Sequence, residues 1–154
     1  MTSRPSLSAV PGAAHAPARG SHAVFDTWTI VLGLLALGNL ANGLWMLADP
    51  PHWYANLPAA VPDFGPLNEH FVRDIGAAFT LIGIGLAVGA VLPGWRVAAC
   101  AAAAGFYCLH AIVHVIDTAR GLVGPEHWMI DLPGVYIPAA VLVVVTWLVA
   151  RSRR

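Results

Sequence analysis

The hydrophobic positions of this chain gather into four long, nearly unbroken runs, separated by short segments that hold most of its charges and prolines. Each run is close to the roughly 20 residues a helix needs to cross a hydrocarbon core about 30 Å thick. The pattern predicts helices over about 27–48, 68–92, 95–120 and 132–150. Asp49-Pro50-Pro51 stops the first, because two prolines cannot continue it. Asn68 is placed to cap the second, which Pro93-Gly94 ends, and Gly121 closes the third. Pro138 is placed to bend the fourth. Continuous apolar runs exclude a transmembrane β-barrel, whose strands alternate in polarity. The expected architecture is an all-α, integral membrane four-helix bundle over residues 25–154. Residues 1–24, rich in Ala, Pro, Gly and Ser, are expected to be a disordered tail. No apolar stretch of the length a secretory signal needs follows Arg4.

Composition strengthens the membrane reading. Of 154 residues 58% are hydrophobic and 10% charged, with a mean hydropathy of +0.69, whereas soluble domains carry about 25% charged residues. The eight basic residues are all Arg and are balanced by eight acids, so no basic field for nucleic acid exists. Arg4, Arg19, Arg96, Arg151, Arg153 and Arg154 fall on one side of the four helices, and Arg73 and Arg120 on the other. Cytoplasmic flanks carry the positive excess, so both termini are expected to be cytoplasmic, in the cytoplasmic (inner) membrane of the cell. Asp49, Asp63, Glu69, Asp74, Asp117, Glu126 and Asp131 then lie on the outer side. Chemistry is expected there.

The third helix carries His110, His114 and Asp117 at i, i+4 and i+7, a spacing that lines one face. Ionisable groups within a span are costly and face the bundle interior. The second helix enters from the same side, with His70 and Asp74 on one face and Glu69 and Arg73 as an i, i+4 ion pair. A tight turn at Pro93-Gly94-Trp95 makes the two helices antiparallel neighbours. His70, Asp74, His110, His114 and Asp117 are therefore expected to meet in one outer pocket as catalytic groups. Three chemistries fit such a set. His70, His110, His114 and Asp117 suit Zn²⁺, or Fe²⁺ in a two-His-one-carboxylate triad; the same groups suit metal-free acid/base work or ligand binding; or they form a polar network that holds helices in register. Haem, with His70 and His110 or His114 as axial ligands, is a minority alternative.

Other positions complete the picture. Trp53 and Tyr54 precede the second helix and are expected to anchor at the headgroup level or to lie over the pocket as a substrate lid. His52 reads as a solvent-facing loop residue. Asn39 and Asn42 on the first helix are expected to hydrogen-bond across the bundle. Asp131 is placed to cap the fourth helix and His127 to approach the pocket, behind His70, His110 and His114 in rank. Gly85 and Gly89 form a small-xxx-small pair suited to packing or to a homo-oligomer or membrane partner. Cys100 and Cys108 are about 12 Å apart on one helix and cannot pair while it is intact.

Trp53-Tyr54, followed by Gly65-Pro66-Leu67-Asn68-Glu69-His70-Phe71-Val72-Arg73-Asp74-Ile75-Gly76, resembles a pattern in small bacterial four-helix membrane proteins. These are loosely similar in size and hydropathy to DoxX-like proteins. The resemblance covers about 45–117, and its specific part is Asn-x-His-Phe-x-Arg-Asp-x-Gly. It implies the fold and the membrane location, and it marks Asn68, His70, Arg73 and Asp74 as the positions to test.

Two functions follow. One is a metal-binding or acid/base enzyme acting on an apolar or amphiphilic substrate, in which Asn68, Arg73, Trp53 and Tyr54 contact the substrate and Arg73 clamps an anionic headgroup. The other is a non-catalytic membrane subunit or a lipid- or quinone-binding protein whose polar core serves packing. A proton-coupled carrier ranks last, because the inner halves of the second and third helices hold no further His or Asp to extend a relay.

Overall fold

The computed structural model describes residues 25–152, so the tail expected over 1–24 lies outside the described residues. Among the described residues every regular element is helical: α1 (Thr27–Ala48), α2 (Pro50–Asn56), α3 (Glu69–Val91), α4 (Arg96–Ala119), α5 (His127–Ile130) and α6 (Ile137–Arg151), with single helical turns between them. Four helices, the last counted from His127 to Arg151, are long and apolar enough to cross a membrane. In each, a third or less of the most apolar stretch is buried inside the protein, so Leu34, Leu81, Leu109 and their like form an apolar outer surface. A surface of that kind needs an apolar solvent.

The boundaries follow from local chemistry. Asp26 caps α1 through a reciprocal pair of bonds with Thr29, its side chain accepting from the Thr29 N–H at 3.0 Å and Thr29 Oγ1 accepting from the Asp26 N–H at 3.2 Å. Asp49 ends α1 as expected, but it also caps α2 by accepting from the His52 N–H at 3.1 Å. Pro50 and Pro51 then occupy the first turn, where no backbone N–H is needed, so the expected loop begins as a helix. Asn68 caps α3 as anticipated, accepting from the Phe71 N–H at 3.1 Å. Gly121, at φ +71°, ends α4 with bonds from its own N–H to Thr118 O (3.1 Å) and from Leu122 N–H to Asp117 O (2.9 Å), a Schellman motif.

The fourth span differs from expectation. It begins a turn earlier, at His127, and passes through a π-helical turn at Leu132–Tyr136 before α6. Pro133 and Pro138 have no N–H to donate, and the wide turn between them lets the Tyr136 N–H reach Asp131 O at 3.3 Å.

α1 packs most extensively on α3, α4 packs on both α3 and α6, and α2 lies across the end where α1 stops. We call that the cap end and the opposite one the base end. The α1–α3 contact is close because glycines face it: a Cβ on Gly76 would lie 2.7 Å from Met46 Cβ, and one on Gly83 would lie 2.7 Å from Leu40 Cγ. The expected pair behaves differently, since Gly85 faces open space while Gly89 is already packed inside the chain, 3.2 Å from Ala99 for an added Cβ. Asn39 does bridge helices, accepting from Tyr107 OH at 3.1 Å, and Asn42 accepts from Trp53 Nε1 at 2.9 Å, which fastens α2 to α1.

At the base end Arg96 is not a free charge. Its guanidinium grips Asp26 with two bonds of 2.7 and 2.8 Å, and its Nε donates to Gly89 O at 3.2 Å. One buried side chain thus joins the start of α1, the end of α3 and the start of α4. The Arg96 bonds hold the Asp26 carboxyl down at about 2, well below its ordinary value.

Candidate functional site: a cavity backed by a His–Asp network

The cap end contains a cavity of about 560 Å³, within the ~300–1,000 Å³ range of small-molecule sites. α2 and the segment after it form its roof through Trp53, Tyr54 and Phe64. Val72, Ile75 and Phe79 of α3 form one wall, Gly134 and Val135 of the π-helical turn another, and Tyr107, His110 and His114 of α4 the back. The lining is predominantly apolar, and among the described residues no Arg, Asp or Glu contributes to it.

His110 and His114 are one turn apart on α4, with ring centroids 4.6 Å apart and the rings edge to face. His114 Nδ1 lies 2.8 Å from Asp131 Oδ2. Asp131 is 1% exposed and also meets His127 Nδ1 through Oδ1 at 3.3 Å, while His127, fully buried, directs Nε2 to Asp63 Oδ2 at 3.2 Å. The result is a continuous chain from a half-exposed carboxylate at the surface, through His127 and Asp131, to the cavity wall. Phe64 packs edge-on against both His114 (4.9 Å) and His127 (4.8 Å), which keeps the network dry.

The chemistry follows from which atoms are occupied. A carboxylate only accepts, so His114 must hold its proton on Nδ1 to bond Asp131, which leaves Nε2 as an unprotonated acceptor in the neutral ring. His114 Nε2 and both nitrogens of His110 have no partner among the described residues and none is fully enclosed, and both rings belong to residues that line the cavity. A ring with a buried carboxylate behind it and a free nitrogen in front is a general base held in one orientation.

The expected set of five residues does not assemble. His70 and Asp74 do pair with each other at 3.4 Å, but their side chains are 89% and 62% exposed and neither lines the cavity. The inward face of α3 is Val72, Gly76 and Phe79, and positions two residues from Val72 point almost oppositely. At the first turn these groups stay hydrated, so the cost of burying charge does not turn them inward. Asp117 is half-buried, does not line this cavity, and makes no side-chain bond among the described residues. Arg73 forms the expected pair with Glu69 at 3.0 Å and is therefore turned from the cavity, where it could clamp nothing. Asn68, Trp53 and Tyr54 do line it, and Tyr54 OH donates to Gly65 O at 2.7 Å. His52, exposed on α2, accepts from Trp45 Nε1 at 3.0 Å.

The metal set expected from His70, His110, His114 and Asp117 is likewise not formed. Among the described residues no three His, Cys, Asp or Glu side chains are grouped to hold an ion. His70 and Asp117 do not line the cavity that His110 and His114 share, so neither the expected triad nor the cross-helix haem pair is brought together. Asp131, expected to cap a helix, is instead the centre of the site, and His127 and Asp63 complete it. The His127-x-x-x-Asp131 spacing was visible in the sequence; the π-helical turn that carries it inward was not.

Cys100 is buried and Cys108 half-buried, both on α4. Comparison with known protein families, with curated proteins and with solved structures finds no match to this chain.

Proposed function

We propose that this chain is a multi-pass protein of the cytoplasmic membrane that admits an apolar or amphiphilic small molecule to its cap-end cavity and sets an acid/base histidine, His114, against it. The observation that carries this is the combination of the Asp131–His114 bond with a free Nε2 on an otherwise apolar wall. Asp131 fixes the tautomer and orientation, and it stabilises the imidazolium that forms when His114 takes a proton. His110 stands beside it as a second polar contact. Trp53, Tyr54 and Phe64 close the site from above. The distribution of Arg supports termini on the cytoplasmic side and a cavity near the outer face. Arg96, being paired, contributes less to that bias than Arg151, Arg153 and Arg154.

A second reading, a polar core that serves packing, is favoured for one part of the network. His127 has both nitrogens bonded and no exposure, so it joins Asp63 to Asp131 and does not meet a ligand.

The test is to purify the wild type beside Ile75→Trp, which fills the cavity from a wall outside the network, and to compare organic extracts by mass spectrometry. The wild type should retain a small molecule that the variant loses, and His114→Gln should bind that molecule but not turn it over. Identical extracts from two folded proteins would refute the binding reading.

A further inference from the structure

Resting on that reading, the inventory of polar atoms around the cavity narrows the class of ligand. Most polar groups on its wall are already occupied. Asn42 accepts from Trp53 Nε1 at 2.9 Å, Tyr54 OH donates to Gly65 O at 2.7 Å, and Tyr107 OH donates to Asn39 at 3.1 Å. Asn68 uses its oxygen to cap α3. Its amide N–H groups and the tyrosine oxygens keep some capacity, but the side chains on the wall that make no hydrogen bond through a cavity-side nitrogen are the two imidazoles, His110 and His114.

Charge narrows it further. Among the described residues no Arg, Asp or Glu lines the cavity, and the chain has no Lys. A carboxylate or phosphate would find no fixed cation and would face His114 with the Asp131 charge directly behind it. A cation would find no carboxylate, since Asp131 is sealed behind the histidine. Ionised ligands entering an apolar site without a partner are strongly disfavoured.

The two rings also ask for a particular uncharged group. Neutral His114 offers Nε2 as an acceptor, and neutral His110, one turn away with no bond of its own, offers one acceptor and one N–H donor. A carbonyl or ether could use only the donor. A hydroxyl uses both, giving its proton to His114 Nε2 while accepting from the His110 N–H. We propose that the cavity takes an uncharged, largely apolar alcohol or phenol whose hydroxyl is held between His110 and His114, with its apolar body against Trp53, Ile75 and Phe79.

The experiment uses the full chain in lipid nanodiscs and a matched set of probes: dodecanol, dodecane, dodecanoate and dodecyltrimethylammonium. Binding is read by native mass spectrometry at neutral pH for the wild type, Ile75→Trp, His110→Leu and His114→Gln. His110 makes no bond to the Asp131 network, so its variant preserves the fold even if His114→Gln does not. Dodecanol should bind about tenfold more tightly than dodecane, the increment of a net hydrogen bond, and more tightly than either ion. His110→Leu should bring the alcohol close to the alkane, and Ile75→Trp should weaken both. Preference for dodecanoate or for the ammonium, lost in Ile75→Trp, would overturn the ligand class and leave the cavity as the binding site. Equal binding of alcohol and alkane would do the same. Failure of the wild type to bind any probe, or binding unaltered in Ile75→Trp, would overturn the binding reading itself.

Discussion

Asp131→Ala should be among the most damaging single changes in this protein, and its cost can be reasoned from what it leaves behind. The carboxylate is 1% exposed and receives two imidazoles, His114 at 2.8 Å and His127 at 3.3 Å. Truncation strands both Nδ1 atoms, and His127 is fully buried, out of reach of bulk solvent. Two magnitudes compete for the estimate. Hydrogen bonds between transmembrane helices average about 0.6 kcal/mol in measured cycles, whereas removing one partner of a buried ionic group costs about 3–5 kcal/mol. The larger figure governs, because His127 stays enclosed and its Nδ1 has no other acceptor among the described residues. Asp63 supplies the comparison: it is half-exposed and bonds His127 alone, at 3.2 Å, so Asp63→Ala strands one buried nitrogen where Asp131→Ala strands two, and should cost less, about 1–3 kcal/mol. The assay is reversible unfolding in mixed micelles, followed by circular dichroism, for each single variant and for both with His127→Ala. Coupling between Asp131 and His127 should exceed coupling between Asp63 and His127. Equal losses for Asp131→Ala and Asp63→Ala would refute the claim that burial sets the value of this network.

Gly76→Ala should destabilise by about 1–3 kcal/mol, because the added Cβ would meet Met46 Cβ at 2.7 Å and Gly43 O at 3.0 Å, and neither atom can move without separating α1 from α3. Gly85→Ala, with nothing within 4 Å, should be neutral or slightly stabilising through helix propensity; thermal unfolding of the two variants in one detergent checks both, and a neutral Gly76→Ala would contradict the close α1–α3 contact. At the base end the Arg96 bonds hold Asp26 at about 2. A carboxyl lowered on folding stabilises above its ordinary value and loses that contribution as pH falls through the lowered one. The stability advantage of the wild type over Asp26→Asn should therefore be constant above about pH 4 and shrink towards about pH 2. A difference between the two Tm curves that is flat across that window would contradict the assignment.

The helices were legible because hydropathy, prolines and caps agree along the chain. Asn68, Gly121 and Asp49 each do what their residue type predicts. The site was legible only in part. His110 and His114 lie where an inward-facing spacing puts them, and Trp53 and Tyr54 cover the cavity. His70 and Asp74 depart from the expected pocket because the inward-facing tendency of buried charge does not act in the first two turns of α3, where both side chains are exposed. Asp131 was missed for the opposite reason. Its position after the polar stretch Glu126-His127 resembles an interfacial cap, and nothing in the local pattern announces a π-helical turn that rotates it by most of a residue step. Gly76 and Gly83 were passed over for Gly85 and Gly89, because a stripe of small residues does not reveal which side faces a neighbour until the buried face is fixed by Val72 and Phe79.

The irregular turn also accounts for the cavity beside it. α3 and α6 are joined through α4, and the space that direct packing between them would fill is where the cavity lies, between Ile75 and Phe79 on one side and Gly134 and Val135 on the other. Gly134 offers no side chain to fill that space. Asp131, one residue before the turn, has both oxygens directed at histidines. A regular helix through these positions would need N–H donors that Pro133 and Pro138 lack, so restoring regularity means replacing the prolines. The prolines thus keep the turn wide, the wide turn places Asp131 behind His114, and the small residue within it leaves room for a ligand in front. Packing alone requires none of these features together; a site that must hold a histidine in one tautomer against an apolar ligand requires all three.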